Sequence, residues 1–217
     1  MSSRAVIAGA TGLVGGECLR ILLNRYDSVT ALVRKPTGRL HPKLTERRVD
    51  FEKLDTIEIP HGAHVFSALG TTIKKAGSEE KFRQVDYEYP LKLAKASEQA
   101  GGAKYVLVSS VAADRQSRNF YLRVKGELEV SIATLKLDAA LFFRPSILIG
   151  ERDESRPLEK FGVTVARGIS FALIGPWKKY RPIPAGIVAE AMVAAAESDV
   201  HGARIYHYDE MLELARK

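Results

Sequence analysis

The chain lacks several features that mark secreted, membrane and metal-stapled proteins. It has a single cysteine, Cys18, in 217 residues. No disulfide can form within it, which excludes a cystine-stapled scaffold and points to a reducing, cytosolic setting. Long apolar runs are missing too. The opening MSSRAVIAGATG is broken by Gly9 and Gly12 and does not read as a secretory signal. The alanine-rich stretch from Ala185 to Ala196 is short and carries Glu190, so no bilayer span is predicted. A cytoplasmic protein without a membrane partner is expected. His61 and His64 have no further ligands at metal spacing, and no metal site is predicted. Repeats, low-complexity tracts and linkers are absent, which argues for one domain over residues 1–217.

What is present fits a globular enzyme. Hydrophobic residues make up 46% and charged residues 27%, enough apolar material to exclude disorder in the body of the chain. The net charge is +7, yet the basic residues are scattered rather than gathered with interleaved aromatics. That pattern predicts a solvated basic surface around a pocket for an anionic small molecule, and no nucleic-acid partner. Partner proteins and self-association leave no readable motif.

Short β-rich runs alternate with helical patterns. RAVIAG, SVTALVR, RRVDF, AHVFSAL, KYVLVSS and DAALFFRPS read as strands. Helices are predicted over Leu13 to Asn24, Ser78 to Ala100 and Tyr121 to Leu135, with Gly101 and Gly102 as a stop signal. Beyond Arg144 the pattern loosens, with a helix over Ile187 to Glu197, a last strand at ARIYHY and a terminal helix at DEMLELARK. This rhythm predicts an α/β fold with a doubly wound parallel sheet of the Rossmann type, residues 145–217 adding a small substrate-side region.

The stretch GATGLVGG joins the first strand to the first helix. Gly9, Gly12 and Gly15 give G-x-x-G-x-x-G, the spacing of a turn that cradles a dinucleotide diphosphate on backbone amides at a helix N-terminus. In NAD-binding chains an acid roughly twenty residues on holds the ribose 2′-hydroxyl. Here the second strand ends in Arg34 and Lys35, two cations suited to a 2′-phosphate, which predicts NADP(H). Asp50 either accepts from the adenine amino group or caps a helix. SALGTT leaves the fourth strand with a glycine, Gly70, where backbone must pass close to cofactor.

Chemistry is carried by NFYLRVKGELE. Tyr121 and Lys125, four apart, share one helix face. An ammonium beside a phenol favours the phenolate, so the pair suits proton transfer coupled to hydride transfer. Upstream, VLVSSVAAD offers two hydroxyls to hold a substrate oxygen: Ser110 is taken, with Ser109 in reserve. Cys18 is expected to be buried, and Trp177 either floors a substrate pocket or pins a loop.

Together these strings resemble the short-chain dehydrogenase/reductase superfamily. With VDFEKLD, ALGTTIKKAGSEEKFRQVDYEYPLKLA and RPSILIGERDESRP they resemble its atypical branch of Tat-interacting protein-like NADPH-binding oxidoreductases. The resemblance implies that Tyr121 and Lys125 are the catalytic pair and also contact cofactor. It further implies that the turn from Gly9 through Gly15, with Ala10, Thr11, Leu13 and Val14, holds the diphosphate, that Leu69 and Gly70 line the adenosine side, and that Leu148 and Arg156 also reach the cofactor. Many members carry an asparagine on the long helix for a proton relay; Asp86 stands at the matching place. The expected activity is NADPH-dependent reduction of a small carbonyl or oxidation of an alcohol. An NADPH-sensing protein with little turnover, or an epimerase-like enzyme that keeps its cofactor, remain the alternatives.

Overall fold

In the computed structural model, which describes residues 3–102, 104–150, 173 and 175–216, the apolar runs become the strands of a parallel sheet. The strands are β1 Arg4–Ala8, β2 Ser28–Val33, β3 Leu44–Arg48, β4 His64–Ser67, β5 Tyr105–Val108, β6 Ala139–Phe143 and β9 Gly202–Tyr206. Their order is β3-β2-β1-β4-β5-β6-β9, with every neighbouring pair parallel. Two short strands, β7 Leu148–Ile149 and β8 Ile183–Pro184, pair separately. Parallel strands need helical crossovers, and these cover both faces.

The side-chain period of a strand sorts the core into two layers. In β6, Ala139, Leu141 and Phe143 face one way, toward α1 (Leu13–Arg25), α6 (Ala185–Glu197) and α7 (Tyr208–Leu214). Ala140 and Phe142 face the other way, toward α4 (Tyr89–Gln99) and α5 (Phe120–Ala133). Both α6 and β9, from the carboxy-terminal quarter, are built into this sheet and its core.

Two expected elements differ. The third strand lies at Leu44–Arg48, earlier than RRVDF, and the segment Phe51–Thr56 is a 3-10 turn. LTERR is an edge strand with polar, mostly exposed side chains, so it shows no apolar run; Phe51 and Leu54 are buried by the turn. The long helix from Ser78 is interrupted. After α2 (Ile73–Ala76), α3 (Glu79–Arg83) runs through a π turn, Gln84–Glu88, into α4. The cause is Pro90. It has no N–H for the carbonyl of Asp86, and its ring crowds that carbonyl. The helix widens for one turn, the Tyr89 N–H bonding the Gln84 carbonyl five residues back.

Candidate active site

Strand order reverses between β1 and β4, and the carboxyl ends of those strands meet there, where open α/β sheets bind ligands. The glycine turn fills this crevice on one side. Gly9 has φ +89°, and a Cβ on it would lie 2.5 Å from the Ala68 carbonyl oxygen. A Cβ on Gly15 would lie 2.0 Å from the carbonyl oxygen of Gly9. Glycine is required at both positions for the turn to fold back on the strand ends. Gly12 caps α1 without a side chain, and the first turn carries no acid. The first helical bond runs from Gly16 N–H to the Gly12 carbonyl, 2.7 Å, which leaves the amides of Leu13, Val14 and Gly15 without an intrahelical acceptor. Ala10 is buried and Thr11 is exposed. This cradle fits a diphosphate: convergent free amides, a positive helix end and no competing anion.

Arg34 and Lys35 follow β2 and are exposed. Arg39 arrives from the same loop, where the Thr37 N–H is held by the Glu46 carboxylate at 3.0 Å. The Arg39 guanidinium donates to the Gly16 carbonyl at 3.3 Å, placing a third cation beside the first turn of α1. Nothing in the sequence singles it out. Asp50 caps the 3-10 turn, its carboxylate accepting the Glu52 N–H at 3.0 Å.

On the far side of the crevice, β4 leads into Leu69 and Gly70, whose backbone lies directly over a buried ion pair. Lys125 Nζ stands 2.8 Å from Asp86 Oδ1, with the two side chains 4% and 1% exposed. The other carboxylate oxygen accepts the Thr71 N–H at 2.7 Å. A Cβ on Gly70 would lie 3.3 Å from Asp86 Oδ1 and 3.9 Å from Lys125 Nζ. Burial opposes the lysine charge; Asp86, Tyr121 and Glu129 outweigh it and hold its pKa above the ordinary lysine value. Lys125 is thus a permanent ammonium at neutral pH. Tyr121, one turn earlier on α5, is half-buried, its ring 5.6 Å from that of Phe82 on α3.

The serines after β5 have different surroundings. Ser109 is buried and its hydroxyl donates to Glu129. Glu129 in turn holds Arg144, with Nε at 3.0 Å. Ser110 is less buried, and its hydroxyl donates to the carbonyl of Val111 at 3.3 Å. Of the two hydroxyl-bearing side chains, Ser110 is the more exposed. The loop carrying it contains Ala112 at φ +60°, a left-handed conformation rare for a residue with a Cβ. It then crosses α5 at Gly126. A Cβ there would lie 2.3 Å from the Asp114 carbonyl carbon and from the Arg115 nitrogen. Gly126, adjacent to Lys125, therefore fixes the serine loop against α5.

Leu148 lies on β7, half-buried, and packs against the core layer that contains α1. Arg156 lies outside the described residues. Trp177 is 62% exposed and tilts against Tyr180. Sequence alone passes over Arg39 and Gly126, and it marks Asp86 only as standing at an asparagine's place, not as the partner of Lys125. Two of the three had a further signal: for Asp86 a proline inside its helical pattern, for Gly126 the glycine inside another.

Residues 9–148 match the family described as NAD(P)H-binding. Protein FMP52-1, mitochondrial, of Scheffersomyces stipitis is 35% identical over 98% of this chain and 99% of its own. Protein HTATIP2 of Rattus norvegicus is 35% identical over 89% of this chain and 81% of its own. Among solved structures, human epimerase family protein SDR39U1 (isoform 2) with NADPH superposes with a TM-score of 0.65, at 20% identity, over 94% of this chain and 74% of its own. These relatives correct one expectation. The cytoplasmic setting drawn from a lone cysteine fails, because FMP52 relatives at 34–35% identity are named mitochondrial proteins. A mitochondrial protein can be as poor in cysteine as a cytosolic one, so the count could not separate the two. The chain belongs to the NAD(P)H-binding family, as an atypical short-chain dehydrogenase/reductase of the HTATIP2-like branch.

Proposed function

We propose that the protein is an NADPH-dependent oxidoreductase acting on a small carbonyl or alcohol, with Tyr121, Lys125 and Ser110 as its catalytic residues. The observation that carries this reading is the convergence of the amide cradle and the buried ammonium of Lys125 on one crevice, with Tyr121 on the same helix. The amides of Leu13 to Gly15 bind the diphosphate. Arg34 and Lys35 neutralise the 2′-phosphate. Lys125 donates to the hydroxyls of the nicotinamide ribose. When bound, the nicotinamide would supply or accept the hydride. Ser110 holds the substrate oxygen, and the Tyr121 hydroxyl donates the proton that oxygen takes up on reduction, or accepts it on oxidation.

The test is binding and turnover together. NADPH is expected to bind more tightly than NADH, and Arg34→Ala to remove most of that preference. Against a panel of carbonyl substrates, Tyr121→Phe is expected to lower kcat by about a hundredfold or more, the usual contribution of a positioned general acid. Full turnover in Tyr121→Phe would refute the catalytic assignment.

An epimerase-type reading has one supporting observation. UDP-glucose 4-epimerase of Thermus thermophilus, in complex with NAD, superposes with a TM-score of 0.69 at 19% identity. It predicts that bound nucleotide co-purifies and stays with the protein through turnover, with no net oxidation.

A further inference from the structure

The buried carboxylate of Asp86 has no part in the chemistry just described. It sits where many short-chain reductases are expected to place an asparagine, and it is 1% exposed. A carboxylate so buried is stable only when its acceptor sites are filled by good donors. Both oxygens are filled, and the two donors come from separate parts of the crevice. Oδ1 takes the ammonium of Lys125 from α5 at 2.8 Å. Oδ2 takes the N–H of Thr71, from the segment after β4, at 2.7 Å. The π turn forced by Pro90 presents Asp86 to both.

A lysine stem is long and flexible, and an ammonium can point its three N–H groups in many directions. Tying Nζ to a fixed carboxylate leaves its remaining N–H groups in a narrow cone. Gly70, 3.9 Å from Nζ at its would-be Cβ, roofs the pair with bare backbone. From this geometry we propose that Asp86 is a positioning residue for the cofactor: it aims the Lys125 ammonium at the nicotinamide ribose and locks that lysine to the Leu69–Thr71 segment. This rests on the oxidoreductase reading above. Because Asp86 meets the cofactor chiefly through Lys125, its effect is much larger on the nicotinamide half of the dinucleotide than on the adenosine half.

That difference supplies the test. Asp86→Asn keeps the shape but accepts through one oxygen only, so either Lys125 or Thr71 loses its partner. NADPH affinity, followed by nucleotide fluorescence, is expected to fall about tenfold. The affinity for 2′,5′-ADP, which has the cradle and phosphate contacts but no nicotinamide ribose, is expected to stay within twofold. Reductive methylation of the nucleotide-free protein, read by mass spectrometry, is expected to label Lys125 at least tenfold faster in Asp86→Asn than in wild type. Equal losses for NADPH and 2′,5′-ADP, or no loss for either, would overturn the proposal.

A second measurement needs no variant. With 15N-labelled lysine, the wild-type Lys125 ammonium is expected to give a slowly exchanging Nζ signal that shifts on adding NADPH but not 2′,5′-ADP. An Nζ signal exchanging as fast as those of surface lysines would overturn the proposal even if Asp86→Asn fails to fold. Wild-type protein that binds neither nucleotide would instead overturn the functional reading. The labelling and exchange measurements would then still decide whether Asp86 holds Lys125.

Discussion

Gly126 gives the sharpest prediction, because two effects of known sign compete at one atom. It lies inside α5, where a glycine is about 1 kcal/mol less favourable than alanine. On helix propensity alone, Gly126→Ala stabilises the protein by that amount. The added methyl, however, would stand 2.3 Å from backbone atoms of Asp114 and Arg115, more than an ångström inside ordinary contact. Backbone atoms cannot swing aside as a flexible side chain can. Overpacking of this kind costs typically 1–3 kcal/mol, and a clash with main chain belongs at the upper end, about 3 kcal/mol. The net expectation is destabilisation by about 2 kcal/mol. For a chain of this size that is a fall in Tm of about 4–8 °C, measurable by circular dichroism or calorimetry. The strain is relieved by moving the loop that carries Ser110 away from α5. Turnover should therefore fall, and a misplacement of about 1 Å can cost a hundredfold. Affinity for 2′,5′-ADP should not change, since the glycine turn is on another element. An unchanged or raised Tm would show that the loop is not held against the helix at this point.

Two further predictions follow from particular side chains. Ser109→Ala removes a hydrogen bond to the buried carboxylate of Glu129 and is expected to cost about 2 kcal/mol in chemical denaturation; Ser110→Ala is expected to cost under about 0.5 kcal/mol yet to lower turnover, and the reverse pattern would exchange the roles of the two serines. His64 has its pKa pushed below the ordinary histidine value by burial and by nearby Lys104, while its Nδ1 meets the Tyr26 hydroxyl at 2.7 Å. The unfolded chain therefore takes up the proton first. The stability tied to neutral His64 is complete above the unfolded pKa, about 6.5, and declines as pH falls from there through the folded value. Histidine NMR titration should give an apparent pKa under the unfolded value, and His64→Gln should flatten the fall in Tm between about pH 7 and pH 5. A His64 titrating above its unfolded value would reverse the sign.

The parts of this protein that could be read in the sequence are those governed by local rules. Strands buried on both faces must be continuous apolar runs, so RAVIA and AALFF announce themselves. The edge strand LTERR has no such obligation, and the Val and Phe that follow it pull the expected strand too far along the chain. The glycine turn was legible because its spacing is fixed by backbone sterics within a few residues. That Tyr121 and Lys125 share a helix face was legible because four residues make about one helical turn. Asp86 reaches Lys125 only once α3, α4 and α5 have packed, so its role as a counter-ion had no local trace beyond an unexpected residue type. Pro90 in the middle of a helical pattern and Gly126 in the next helix were the visible departures from propensity. Each turned out to shape the crevice through backbone geometry.

The π turn also constrains the length of the chain. A widened turn holds one residue more than the same stretch of α-helix, so removing any one residue between Gln84 and Glu88 would let the helix close up. The flanking helices would keep their phase, but the closed turn would set the Pro90 ring against the carbonyl four residues back and shift the residues of the turn itself, Asp86 among them. The carboxylate would swing away from its ammonium, leaving two isolated charges in the interior. Single-residue insertions and deletions, harmless on most exposed surfaces, are therefore forbidden in this stretch. Its residue count is as much a part of the protein's chemistry as its residue types.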